Sequence, residues 1–308
     1  MPEVSVVVPL YGDHEARAVF ASVAAAWLAQ SVRCEVVLAT AGEPAPAVPP
    51  DLDACRRVRV VRAPATNLAA GLLRNVAAEW ARAPVLYLTD ADVAPLGRDF
   101  VARALELAAG GALAQPWMYR LVGAAELPSG WAAVDMVPVG RDPFCFVRED
   151  PDGVLRGFPD ERMVWDPPPH GAPEDVQAIP RVLPPPRARA PYGPRSRLWR
   201  APYQWGAMLV DRRTFDLVGG YCPRYVGWGS EDDDLLAKVA ARTRLRRGRQ
   251  LDRSWSCLHF EHRTPYDGSE QQAANERLLA ARTAAGPEAM IEQDLAAHAD
   301  PGGAPYGH

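Results

Sequence analysis

The chain has 308 residues, of which 48% are apolar, enough for one large α/β core or two small ones. A net charge of −4 excludes the global basic field of a nucleic-acid binder, and no apolar run approaches the ~20 residues of a membrane span. The five cysteines (Cys34, Cys55, Cys145, Cys222 and Cys257) are odd in number and lack C-x-x-C spacing, and no signal peptide precedes them. Reduced thiols and a cytoplasmic location are therefore expected. Lys238 is the only lysine; arginine supplies the rest of the basic charge.

Val4 to Tyr11 is a nearly continuous apolar run, the pattern of a buried parallel strand. Gly12 and Asp13 turn into an Ala-rich helix over about Glu15 to Gln30, and Cys34 to Thr40 and Arg57 to Arg62 read as further strands. This β-α-β alternation predicts an α/β fold, a mostly parallel sheet with helices on both faces. Neither G-x-G-x-x-G nor a Walker A sequence is present, which argues against dehydrogenase and P-loop chemistry. The opening Val6-Val7-Val8-Pro9-Leu10-Tyr11 resembles the first strand of the family 2 glycosyltransferases. That resemblance implies that the loop after the strand walls a nucleotide base, with Pro9, Tyr11 and Asp13 in that role. The second strand departs from the family, ending in Ala39-Thr40-Ala41-Gly42-Glu43 where acidic residues and Gly-Ser are usual.

From Asn67 to Ala78 a helix is expected, with Leu73, Val76, Ala77 and Trp80 as its core-facing stripe. Its Arg74 and Asn75 resemble the family's Ala-Arg-Asn element, whose Arg reaches towards the nucleotide. Pro84 to Thr89 reads as a buried strand running into Asp90-Ala91-Asp92. Two carboxylates at the carboxyl end of a parallel strand stand where open α/β sheets place ligands, and strand alternation would aim both to one side. Hard carboxylate oxygens suit a divalent cation that neutralises a diphosphate. The resemblance makes Asp92 the direct metal ligand and puts Asp90 on the ribose or in orienting the site.

Asp99 to Ala109 reads as a helix, and Ala112 to Leu121 and Trp131 to Val139 as strands. From about Arg141 to Pro202 the pattern fails: prolines preclude regular helix, and arginines lie among them. A long solvated loop is one reading, an acceptor-binding insertion or basic flap the other. Tyr203 to Val210 is expected as a strand, followed by a short helix from Asp211 and its end at Val218-Gly219-Gly220-Tyr221. Ser254 to His262 reads as a strand leading to His259 and His262, whose i, i+3 spacing suits a metal site. Helices are expected over Gly268 to Ala284 and Glu288 to Ala297, with a Gly/Pro-rich tail over 299–308.

The most informative stretch is Gly227-Trp228-Gly229-Ser230-Glu231-Asp232-Asp233-Asp234, followed at once by Leu235-Leu236. Ser230 suits an N-cap, and acidic residues suit the first turn of a helix. An acidic helix start explains the carboxylates but not an indole between two glycines, which suits a hinged aromatic flap over a pocket. The stretch resembles the W-G-x-E-D-D motif of metal-dependent GT-A glycosyltransferases, closest to the β-1,4-galactosyltransferase type. The resemblance implies a single GT-A-like domain over 1–298, with a nucleotide- and metal-binding part at 1–140 and an acceptor-binding and catalytic part at 203–298. It implies inverting transfer of a hexose, galactose or N-acetylgalactosamine, from a UDP-sugar to a glycan, peptide or small-molecule hydroxyl. Helical residues step about 100° apart, so one or two of the four carboxylates can face an acceptor. Among them the resemblance selects Asp232 as catalytic base, with Trp228, Glu231 and Asp233 on the acceptor. It also places Arg74, Gly206 and Trp228 near the nucleotide sugar, and Asp92, His259 and His262 on a cation, Mn²⁺ favoured and Mg²⁺ the alternative. His259 replaces the Met that the galactosyltransferases carry. The chain has neither the stem nor the anchor of the animal enzymes, which suggests a soluble bacterial form. The alternatives are a retaining transferase of the polypeptide N-acetylgalactosaminyl type and a catalytically inactive nucleotide-sugar- or glycan-binding protein.

Overall fold

The computed structural model describes residues 1–11, 16–41, 50–63, 69–109, 112–121, 123–124, 126–127, 146–149, 155–158, 162–166, 179–183, 206–247, 255–260 and 269–299. In chain order the elements are β1 (Val4–Tyr11), α1 (Ala16–Leu28), β2 (Cys34–Ala41), α2 (Pro50–Asp53), β3 (Val58–Arg62), α3 (Ala70–Trp80), β4 (Val85–Leu88), β5 (Val93–Pro95) and α4 (Phe100–Ala108). There follow β6 (Ala112–Gln115), β7 (Trp117–Leu121), β8 (Phe146–Glu149), β9 (Leu155–Phe158), β10 (Arg162–Asp166), β11 (Ile179–Leu183) and β12 (Met208–Asp211). The chain continues through α5 (Arg212–Leu217), α6 (Glu231–Ala240), β13 (Arg244–Arg247), β14 (Ser256–Phe260), α7 (Glu270–Ala285) and α8 (Pro287–Ala299).

The central sheet has seven strands in the order β13-β6-β12-β4-β1-β2-β3. The pairs β1/β2, β1/β4, β2/β3 and β6/β13 are parallel, and β12 runs antiparallel to both its neighbours. Alternation divides β1 between two cores. Val4, Val6, Val8 and Leu10 pack with Phe20, Val23 and Trp27 of α1 and Phe100 of α4. Val7 lies on the other face with Leu73 and Val76 of α3, Phe215 of α5 and Leu235 and Val239 of α6. Both faces of the parallel strands are thus covered by helices, as their β-branched composition requires.

Pro9 fits inside this sheet for a local reason. The Val7 carbonyl accepts from the Thr89 N–H at 3.1 Å, so the odd positions of β1 turn their backbone groups to β4. The register with β4 ends at Val7, so the N–H that Pro9 lacks would have met no partner on that strand.

A second sheet, β5-β14-β7-β8-β9, carries the residues that flank the first. The expected strand over 112–121 is split at Pro116, with β6 in the central sheet and β7 in the second. The reading of 141–202 as a loop without regular structure is also corrected. It holds β8, β9 and the antiparallel pair β10/β11, where Pro180 is opposite Trp165. A two-stranded sheet gives each strand a free edge, so proline is admissible there. The expected strand at 131–139 and the tail from 300 lie outside the described residues. Trp80, assigned to the core stripe, is 53% exposed on the last residue of α3. Among the described residues no helix is long and apolar enough to cross a membrane.

Candidate active site

Three elements of one core face bring the site together. Arg74 lies on α3, Asp90 follows β4 by two residues, and Asp232 is in the first turn of α6. The register pairs Met208 of β12 with Leu88 of β4, so Gly206, two residues before, meets Asp90, two residues after. This is the carboxyl end of a parallel strand, where the chain leaves the sheet and room opens.

Arg74 is 1% exposed and is the hub. Its Nη1 donates to Asp232 Oδ1 at 3.0 Å, its Nη2 to Asp90 Oδ1, and its Nε to the Thr89 carbonyl at 3.4 Å. The guanidinium also lies over the Tyr221 ring, 5.3 Å from the centroid. The Tyr221 hydroxyl donates to Asp232 Oδ1 at 3.1 Å. Both of these donors act on Oδ1, which leaves Oδ2 beside Gly206. A Cβ on Gly206 would stand 2.8 Å from Arg74 Nη2, 3.2 Å from Asp232 Oδ2 and 3.4 Å from Asp90 Oδ2. The glycine is therefore the condition for the chain to pass this cluster.

Asp90, Asp232 and Glu231 all lie around one guanidinium, that of Arg74. Glu231 is 4% exposed, and among the described residues its Oε2 has no hydrogen-bond partner. Burial first, then the Asp232 charge, push its carboxyl up to about 8. Burial likewise raises Asp232 above the ordinary carboxylate value, against the pull of Arg74. A carboxylate raised in this way takes up a proton more readily near neutrality.

The metal-site residues come together in part. The register of β14 with β5 sets His259 opposite Val93, and the Phe260 N–H donates to the Asp92 carbonyl at 3.0 Å. His259 Nε2 therefore stands 3.6 Å from Asp92 Oδ2. Carboxylate and imidazole are donor types that divalent ions take. Among the described residues no group of three His, Cys, Asp or Glu is placed to hold a metal. His262, Asp13 and the Tyr11 side chain lie outside the described residues. Strand alternation does not carry through Asp90 and Asp92. The strand ends at Leu88, and the turn that follows sends Asp90 to Arg74 and Asp92 to His259.

The Trp228 loop is built from left-handed backbone: Gly227, Gly229 and Ser230 have φ of 66°, 101° and 72°. Ser230 occupies the N-cap position of α6, but in this conformation its side chain makes no capping bond, contrary to expectation. Trp228 is half-buried and Asp233 exposed. Asn275 of α7 holds the loop instead, its Nδ2 donating to the carbonyls of Val226 (2.9 Å) and Trp228 (3.0 Å). Neither Asn275 nor the hydroxyl of Tyr221 was assigned from sequence. For Asn275 no local pattern points to the loop, since the contact joins residues 47 apart.

Residues 188–263 match the family model described as the N-terminal domain of galactosyltransferase. No curated protein sequence matches the chain. Among solved structures, S. aureus TarS 1-349 superposes with a TM-score of 0.51 at 13% identity, covering 96% of this chain and 69% of that one. GalNAc-T7 with UDP, GalNAc and Mn²⁺ gives 0.48 at 17% identity over 91% of this chain, which spans only 48% of its length. Drosophila β1,4-galactosyltransferase 7 with xylobiose gives 0.43 at 14% identity, over 90% of this chain and 80% of that one. The mostly parallel sheet with helices on both faces, and its likeness to TarS, give the chain the GT-A glycosyltransferase fold, with a galactosyltransferase-type segment at 188–263.

Proposed function

We propose that the protein is a divalent-cation-dependent, inverting glycosyltransferase. It moves a hexose, galactose or N-acetylgalactosamine first, from a UDP-sugar to a hydroxyl of a glycan, peptide or small-molecule acceptor. The observation that carries this reading is Asp232: a carboxylate at a helix start, held through one oxygen by Arg74 and Tyr221, across from the Asp90-Ala91-Asp92 turn. The galactosyltransferase-type segment that contains it supports the same reading. So does a neighbour of equal fold, TarS, which binds UDP-GlcNAc.

In this account Asp232 Oδ2 takes the proton of the acceptor hydroxyl. The freed oxygen attacks the anomeric carbon, the bond from that carbon to the diphosphate breaks, and UDP leaves with the electron pair. Attack from the face opposite the leaving group inverts the configuration. Asp92 and His259 would hold the cation, with His262 the third ligand by resemblance. Such a cation neutralises the charge of a diphosphate. Arg74 fixes Asp232 and Asp90 in one geometry, and Gly206 lets the backbone pass close beside them. Trp228 would cover the donor from its loop and exclude water.

The test is release of nucleotide from UDP-galactose, UDP-N-acetylgalactosamine, UDP-N-acetylglucosamine and GDP-mannose with Mn²⁺ present, each repeated in EDTA. Release of UDP that EDTA abolishes is expected. No release from any donor, or release indifferent to EDTA, contradicts the proposal. The anomeric configuration of the product then decides between inversion and retention.

A further inference from the structure

Tyr221 ends the Gly219-Gly220-Tyr221 turn, and three residues of α3 are arranged around it. Asn75 pairs with its backbone as a second peptide would: Nδ2 donates to the Tyr221 carbonyl at 2.9 Å, and the Tyr221 N–H donates to Oδ1 at 2.8 Å. Gly71, one helical turn earlier, makes room for the ring, because a Cβ there would stand 2.7 Å from Tyr221 Cδ1. Arg74 lies over the ring face. The ring is fully buried, yet its hydroxyl is spent on a single partner, Asp232 Oδ1. A phenylalanine would fill the same space, so packing alone gives no reason for the oxygen.

We propose that Tyr221 is a positioning residue for Asp232: its phenol pins Oδ1, so that Oδ2 is the oxygen presented to the acceptor. This rests on the assignment of Asp232 as base. The bond also favours the ionised carboxylate, since a donor to a charged acceptor stabilises the charge. Among the described residues, the groups around Asp232 are Arg74 of α3, Asp90 after β4, Glu231 of its own helix, and Tyr221. Of these, Tyr221 is the one that can lose its contribution without a change of charge.

The experiment compares wild type, Tyr221→Phe, Asp232→Asn and the double variant. In the protein without donor, a ¹³C titration of the Asp232 carboxyl should move upward by about half a unit or more in Tyr221→Phe, because a donor to the charged form is gone. With UDP-galactose and Mn²⁺, the kcat of Tyr221→Phe should fall about tenfold, and the acid limb of its pH profile should move up with the titration. In the Asp232→Asn background the same change should have no further effect, as expected for a residue that acts through another. Gly71→Ala, which crowds the ring without touching Asp232, should reproduce the upward titration. An Asp232 titration unmoved in Tyr221→Phe, or an equal loss in both backgrounds, overturns the proposal. Full activity in Asp232→Asn overturns the base assignment itself, and is thereby told apart from failure of the Tyr221 proposal alone.

Discussion

Two clusters of charge start from the same acidic run, and they are built in opposite ways. Asp232 points to a cluster in which three carboxylates share Arg74, and its own side chain is 20% exposed. Asp234, two residues on, points to the far side of α6. There Arg282 holds it through Nε, Lys238 stands 3.6 Å away, and both cations also pair with Asp294. All four side chains are at most 1% exposed, two positive and two negative, and the Tyr225 hydroxyl donates to Asp234 as well. The only lysine of the chain is spent here. A step of two residues on a helix turns a side chain by about 200°, which suffices to send one carboxylate to the partly exposed cluster around Arg74 and the other into a neutral, buried strut. Matched, fully buried charges suit structure; crowded carboxylates with raised pKa values at a partly exposed helix start suit chemistry.

Removing Asp92 should break the open cluster's function most. Asp92→Ala should lose about 10³-fold or more of UDP release while melting close to wild type, since a cation held there would supply several kcal/mol of transition-state stabilisation. EDTA-resistant activity in that variant would contradict its role. On the other side of α6, Asp294→Ala should leave Lys238 and Arg282 short of a counter-ion. A loss of about 3–5 kcal/mol in urea unfolding is expected, against little change in UDP affinity. Trp228→Ala should lose about 10–100-fold in transfer through the missing cover, with UDP binding retained in calorimetry. Unchanged transfer would remove the flap.

The smallest effect sharpens the electrostatic side of the comparison. Glu231 has its pKa raised from an ordinary 4.5 to about 8, so between those values the folded state holds a proton that the unfolded state has released. Stability therefore falls as pH rises from about 4.5 to about 8. Glu231→Gln should flatten that slope in denaturation curves recorded across the interval, and an unaltered slope would deny the shift.

Much of this was legible in the sequence where one physical signal dominated. The apolar runs of β1, β2 and β4 have no other good use than a buried sheet, and an Asp-x-Asp after such a run has to lie at its carboxyl end. The acidic start of α6 and the short helix after Asp211 were equally plain, and the structure adds a cap to the latter, Asp211 Oδ1 accepting from Thr214 N–H at 2.8 Å. What failed depended on context beyond the local pattern. Trp80 fits the apolar stripe of α3, but the helix ends on it, and its side chain is left half exposed. Ser230 has the right chemistry for a cap, but the left-handed turn that carries Trp228 takes precedence at that position. The strands within 141–202 were masked by proline, which a free edge tolerates. Lys238 is within reach of the i, i+4 rule, but the other members of the Asp234 cluster, Arg282 and Asp294, lie 48 and 60 residues from it, and no spacing rule reaches that far.

The division of labour along α6 is tested most directly by measuring turnover and melting on Asp232→Asn and Asp234→Asn side by side. The account predicts that Asp232→Asn loses roughly 10²–10⁴-fold in kcat at saturating donor and Mn²⁺ and keeps its melting temperature within a degree or two. Asp234→Asn should melt several degrees lower and, below that temperature, retain turnover within about tenfold. The reverse assignment, or a loss of the same kind in both variants, would contradict it.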